Sequence, residues 1–244
     1  MSSKCDFKPR FCSSKVFNVI KRFYDDHIRD NRLSFRQALQ YFESISEKII
    51  RPKLGSGRST DQAWRSCKGS LYEYAVCRAL DEILSSDLLL SQKIDILHGS
   101  KLEYDLNLRS QVVIKNWSDI LPDVDFVIVN KSCNKAMAVM SCKTSLRERI
   151  TETAFWSKEL RPKGIEIIFV TTDKDGEITS SDINRYVVMH VFDYTVITDS
   201  NRYEQIIEEW KRKYGYREDF CTLINRVISF NDIERILHQY ARKC

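Results

Sequence analysis

The 244-residue chain has little of what bends or loosens a backbone, with only 7 Gly and 4 Pro. Set beside 43% hydrophobic and 30% charged residues, that scarcity excludes a collagen-like or low-complexity chain and fits a folded globular protein. No apolar run approaches the roughly 18 residues of a membrane span, so no membrane partner is expected. The opening residues, MSSKCDFKPRF, lack the apolar stretch of a secretory signal, and a cytoplasmic location is expected. Internal repeats are also missing. The eight cysteines (5, 12, 67, 77, 133, 142, 221 and 244) contain no CxxC pair and have no His at zinc-finger spacing. That argues against a structural zinc and predicts free, mostly buried thiols.

What is present is unevenly placed. Residues 1–70 hold 15 Lys+Arg against 7 Asp+Glu, whereas the remainder is slightly acidic. A basic end of this kind suits either a layer that approaches a polyanion or a solvated face. Residues 14–27 place Val16, Phe17, Ile20 and Phe23 at helical spacing, and Ser34 with Gln37 predicts a capping box at a second helix. Pro52–Thr60 reads as a loop, followed by a helix over about 61–83. The period then changes: DFVIVN (125–130), AMAVMSCK (136–143), GIEIIFVTT (164–172) and RYVVMHVFDYTVIT (185–198) read as strands, with a helix between the second and third. Three helical stretches, beginning NRYEQ, REDFC and NDIER, close the chain. The order predicts an α/β (or α+β) protein with a mixed sheet flanked by helices. The expected divisions are a basic helical region over 1–58, a core over 59–200 and C-terminal helices over 201–244.

Chemistry concentrates around the first two strands. Pro122-Asp123-Val124-Asp125 opens one strand, and the next ends Ser141-Cys142-Lys143. Strand alternation puts Asp123 and Asp125 on one face, and Ser141 and Lys143 on one face of the partner strand. A hairpin of the two would bring carboxylates and an amine together, the donor set of Mg²⁺-dependent phosphodiester hydrolysis. Taken singly, an Asp after Pro is commonly a turn residue, and a Lys at a strand exit is commonly solvated.

Directly after Lys143 comes Thr144-Ser145-Leu146-Arg147-Glu148-Arg149. With Pro122-Asp123 and Ser141-x-Lys143, this run resembles the type II restriction endonucleases of the PD-(D/E)xK superfamily that read CCGG and related interrupted sites. It is also similar to the smaller group typified by the enzyme BsaWI. The resemblance covers about 121–160. It implies a restriction-endonuclease-like core and a Mg²⁺ cofactor, with metal held by Asp123, Asp125 and Glu73. Asp123, Lys143 and Glu73 would be the catalytic residues, with Lys143 orienting and deprotonating the attacking water. It further implies a double-stranded DNA substrate, a homodimer on a palindromic site, and a cognate DNA methyltransferase as companion. Arg147, Glu148 and Arg149 would read DNA: Arg bonds the O6 and N7 of guanine, and Glu accepts from the N4 amine of cytosine.

One position departs from the family. Better-known members carry a Glu 13 or 14 residues after the Lys, where this chain has Trp156 and Ser157. Glu73, in GSLYEYAV, is the favoured substitute, with Glu152 next. The alternatives are a repair or junction-resolving nuclease of the same fold, and a non-cleaving DNA-binding protein on this scaffold. Lys53, Arg58, Arg65 and Lys68 either touch phosphates or flank a loop. His98 and His190 read as structural, and Trp64, Trp156 and Trp210 as core residues.

Overall fold

A computed structural model describes residues 4–115, 117–145 and 149–244, with Arg149 described by its backbone alone. The chain forms two compact units, Met1–Ile83 and Leu84–Cys244.

Helices make up the first unit. The Ser13 side chain accepts from the Val16 N–H to start α1 (Ser14–Asp30), whose buried residues Phe17, Ile20, Tyr24 and Ile28 follow the helical period. The expected capping box of Ser34 and Gln37 opens α2 (Phe35–Gln40). The Glu82 carboxylate also accepts from the Phe35 and Arg36 N–H groups, placing negative charge where the helix dipole favours it. After α3 (Phe42–Ser44), a π-helical stretch (Ile45–Ile50) and a 3-10 turn (Arg51–Leu54) lead to α4 (Arg58–Ser86), which crosses the division between the units. Aromatic side chains fill this core: the Phe42 and Tyr72 rings lie 4.9 Å apart, and Tyr74 meets Phe17 and Tyr24 edge-on. Trp64 is buried here. Of the four basic side chains near the Gly-Ser loop, Lys68 is buried with its amine 2.6 Å from Glu43 and 2.8 Å from Glu47, which makes it a core ion pair. Lys53, Arg58 and Arg65 are exposed.

The cysteines correct the sequence reading. Cys5 pairs with Cys77 and Cys12 with Cys67 in the first unit, and Cys133 pairs with Cys244 in the second. Among the described residues, buried Cys142 and exposed Cys221 are the cysteines outside a disulfide. The partners lie 55 to 111 residues apart in sequence, so local spacing carries no trace of the pairing.

The second unit is built on a sheet. Its elements are α5 (Leu88–Lys93), β1 (Ile94–His98), α6 (Leu106–Val112), β2 (Phe126–Asn130), β3 (Lys135–Lys143), α7 (Arg149–Leu160) and β4 (Glu166–Thr171). They continue with α8 (Glu177–Ser180), α9 (Asp182–Tyr186), β5 (Tyr194–Ile197), α10 (Ser200–Tyr214), α11 (Phe220–Ile224), β6 (Val227–Ser229) and α12 (Ile233–Arg242). The six strands lie in sequence order. β2 runs antiparallel to both its neighbours, β1 and β3, while β3 to β6 run parallel. Helices cover both faces. Val127, Val129, Val139, Ile167, Phe169 and Ile197 pack into one core with Ile150 and Leu160 of α7 and Ile206 and Trp210 of α10. On the opposite face, α12 is held where Asn130 donates to the Tyr240 carbonyl and the Tyr240 hydroxyl donates to Glu166. This is the mixed α/β architecture expected, with both sheet faces shielded as parallel strands require.

Three strand assignments differ. β1 (IDILH) was not distinguished from its surroundings, and β6 occupies the end of a stretch read as helix. RYVVMHV, read as strand, is helical: Ser181 caps α9 by accepting from the Asn184 N–H, and the helix continues as a π-turn through Val191. Val187, Val188 and Met189 are all buried, and a short continuous apolar run does not distinguish a buried helix from a buried strand.

Candidate active site

Antiparallel pairing sets the site. Phe126 lies opposite Met140 and Val127 opposite Val139, and the Asp125 N–H donates to the Met140 carbonyl, so Asp125 stands opposite Ser141. Asp125, Ser141 and Lys143 therefore share the face that carries Val127 and Val139. In the parallel direction Lys143 is registered with Thr171 of β4. The cluster thus lies at the carboxyl ends of the parallel strands, where α/β sheets open their ligand crevices.

Within it, Asp125 Oδ2 accepts from Lys143 Nζ at 3.0 Å and from the Cys142 N–H at 2.6 Å. The two side chains retain 7% and 11% exposure, so the charges face each other in a medium that screens them weakly. Asp125 Oδ1 makes no hydrogen bond among the described residues. The Ser141 hydroxyl is shielded from solvent and likewise without a hydrogen bond among them.

Asp123 is placed differently from its neighbour. The Val124 N–H donates to the Pro122 carbonyl at 2.9 Å, closing a γ-turn centred on Asp123. The turn interrupts the alternation expected from 123 to 125. Asp123 is half-buried, with one carboxylate oxygen shielded from solvent.

Gly99 controls this entry. Its N–H donates to the Asp125 carbonyl at 2.8 Å, and a Cβ there would stand 2.0 Å from the Val124 carbonyl oxygen. Only glycine lets the end of β1 approach the Pro122–Asp125 segment this closely. His98 beside it is buried, bonded through Nδ1 to Ser100 and set edge-on to Phe126, a structural role as read from the sequence.

One buried pair next to the site escaped the sequence reading. Asp173, after β4, adopts φ 47° and is 1% exposed. Its Oδ1 accepts from the Ile178 N–H and its Oδ2 from Arg202 Nε at 2.7 Å. Burial raises its pKa above the usual carboxylate range, against the lowering effect of the Ile178 N–H and Arg202. The Thr172 hydroxyl donates to the Thr144 carbonyl, tying the residue after Lys143 to this corner. Asp173 and Arg202 are 29 residues apart, and the DKDG turn was the only local signal.

Arg147 and Glu148 lie outside the described residues, and Arg149 begins α7. Glu152 is in the first turn of α7 and exposed. Trp156 and Ser157 belong to the scaffold: Trp156 packs against the core, and the Ser157 hydroxyl donates to the Val191 carbonyl at 2.8 Å. Glu73 is half-buried on α4 in the first unit.

The donors present fit a small hard cation. Asp125 offers an oxygen without a hydrogen bond among the described residues, and Asp123 a second carboxylate nearby in sequence. Magnesium takes one or two protein carboxylates and fills its shell with water.

The chain is similar to known proteins in sequence and in fold. A sequence model described as "BsaWI restriction endonuclease type 2" matches residues 103–221, which include Asp123, Asp125 and Lys143. The Helicobacter pylori protein named "Probable type II restriction enzyme HpyAORF263P" is 24% identical over 183 residues, covering 68% of this chain and 94% of that protein. The restriction endonuclease PspGI, solved in complex with its substrate DNA, superposes with a TM-score of 0.63 at 20% identity, covering 93% of each chain. At that identity the likeness is one of fold.

Proposed function

We propose, on its likeness to the type II restriction endonucleases, that the chain hydrolyses double-stranded DNA with Mg²⁺ at a palindromic site with a CCGG-like core. The observation that carries the reading is the buried contact of Asp125 Oδ2 with Lys143 Nζ at 3.0 Å, beside an Asp125 oxygen that no donor occupies among the described residues. Asp125 and Asp123 would hold the ion. When bound, Mg²⁺ supplies polarisation of the scissile phosphate and a more acidic water. Lys143 would orient the attacking water and take its proton, and the ammonium so formed would offset charge growing on the phosphate oxygens. Hydrolysis breaks one P–O ester bond and leaves a phosphate on one end and a hydroxyl on the other.

Arg147, Glu148 and Arg149 are the proposed base readers. A palindromic target matches a two-fold symmetric protein, hence a homodimer, and a DNA methyltransferase of the same specificity is the expected companion. Glu73 and Glu152 are the candidates for a third acid. The division of labour among residues 1–58, 59–200 and 201–244 belongs to the same proposal. So does a cytoplasmic location, although disulfides are rare in a reducing cytosol. A non-reducing gel of thiol-blocked protein shows whether the pairs form in the cell.

A plasmid digest with Mg²⁺ tests the proposal. Discrete bands from the wild type, absent with Lys143→Ala, support it, and sequencing the ends reads out the site. Arg147→Ala should relax the preference at one base pair, a contact worth about 1–3 kcal/mol. Cutting that follows junctions instead of sequence would favour a repair nuclease, and an intact plasmid a binding protein.

A further inference from the structure

A second cluster with ligand chemistry lies on the sheet face opposite the Asp125–Lys143 pair. We propose that Asp87, Glu234 and His238 form a binding site for a divalent transition ion of the zinc class, clasping α12 to the start of α5. One ligand atom from each of the three side chains lies within 4.8 Å of the others, the one such group of three among the described residues.

Each ligand is positioned by the fold. Glu234 and His238 are four residues apart on α12 and so share one face of it. Asp87 is the N-cap of α5: its Oδ1 accepts from the Leu90 N–H at 2.8 Å, which fixes the side chain and turns Oδ2 toward His238 Nε2 at 3.1 Å. His238 Nδ1 is shielded from solvent and without a hydrogen bond among the described residues, which leaves Nε2 as the nitrogen able to face a ligand. α12 is anchored independently through Tyr240 and Lys243 to Glu166, so the cluster does not depend on an ion to assemble.

Spacing and ligand type select the ion. Zinc bonds nitrogen and oxygen ligands at about 2.0–2.2 Å, so two ligands at tetrahedral angles stand about 3.3 Å apart. The Asp87–His238 separation of 3.1 Å is close to that. Imidazole nitrogen suits zinc and its neighbours, whereas magnesium prefers an all-oxygen shell. Three protein ligands and partial exposure leave a fourth position to water.

The test uses the full chain, stripped with EDTA and dialysed against zinc in excess Mg²⁺, with bound zinc counted by elemental analysis. The wild type should retain one zinc per chain and melt at a higher temperature with zinc than in EDTA. His238→Ala and Glu234→Gln should each weaken zinc binding at least about tenfold and lose the zinc-dependent rise. Melting in EDTA checks that both variants fold, and the near-isosteric Glu234→Gln keeps the test intact should His238→Ala not. Equal zinc uptake by the variants and the wild type, or none by the wild type, would overturn the proposal and leave an ordinary ion pair.

Discussion

Two buried carboxylates stand on either side of β3, Asp125 at the start of β2 and Asp173 just after β4, and their surroundings differ in one respect. Asp173 has both oxygens engaged, one by the Ile178 N–H and one by Arg202. Asp125 has both donors, Lys143 and the Cys142 N–H, on a single oxygen. Asp125 Oδ1 has no hydrogen bond among the described residues and is not one of their solvent-shielded atoms, so it can be reached from outside. Asp173 therefore reads as scaffold, stapling α10 to the end of β4. Asp125 keeps one oxygen, and Ser141 its hydroxyl, without a hydrogen bond among the described residues, which suits the ion-holding role proposed for Asp125. The contrast between the scaffold pair and the proposed site lies in which oxygens stay unbonded among the described residues, because burial and charge pairing are common to both.

Breaking each pair should separate the roles. Lys143→Ala should cut the cleavage rate by about 10²–10⁴ while the protein still folds, as single-turnover assays and thermal melts would show. Arg202→Ala strands the Asp173 carboxylate and should cost about 3–5 kcal/mol in urea unfolding, with cleavage by the folded fraction retained. That penalty has a pH signature. The pKa of Asp173 is raised in the folded state, chiefly by burial, so its ionised form costs stability above the folded pKa. The cost is relieved as pH falls through that value. Losing Arg202 raises the pKa further, so the penalty of Arg202→Ala should shrink between neutral pH and pH near 5, measured by urea melts.

How far this contrast was legible in the sequence differs for its two halves. Asp125, Ser141 and Lys143 were readable because strand alternation acts over two or three residues and the pairing is a simple hairpin. The γ-turn at Asp123 was not, since a strand-entry Asp after Pro has no fixed geometry. The Asp173–Arg202 pair and the disulfides depend on chain segments brought together by the whole sheet, and no local period encodes them. The same limit explains the strand assigned over Arg185–Val191, where three buried residues in a row fit either a helix or a strand. The helices beginning at Ser14, Ser200 and Ile233 were readable because each has one apolar face and so a clear period.

Two smaller changes sharpen the comparison. Gly99→Ala would drive a methyl toward the Val124 carbonyl and should cost about 1–3 kcal/mol. It should also slow cleavage, because displacing Asp125 disturbs the aligned groups. Ser141→Ala removes a buried hydroxyl that has no hydrogen bond among the described residues, and should leave stability unchanged or raised by up to about 1 kcal/mol in thermal melts.

The most direct measurement is single-turnover DNA cleavage in Mg²⁺ by wild type, Lys143→Ala and Arg202→Ala, at a temperature where all three are folded. The account predicts a loss of two or more orders of magnitude confined to Lys143→Ala. Equal rates for wild type and Lys143→Ala, or an equal loss in both variants, would contradict it.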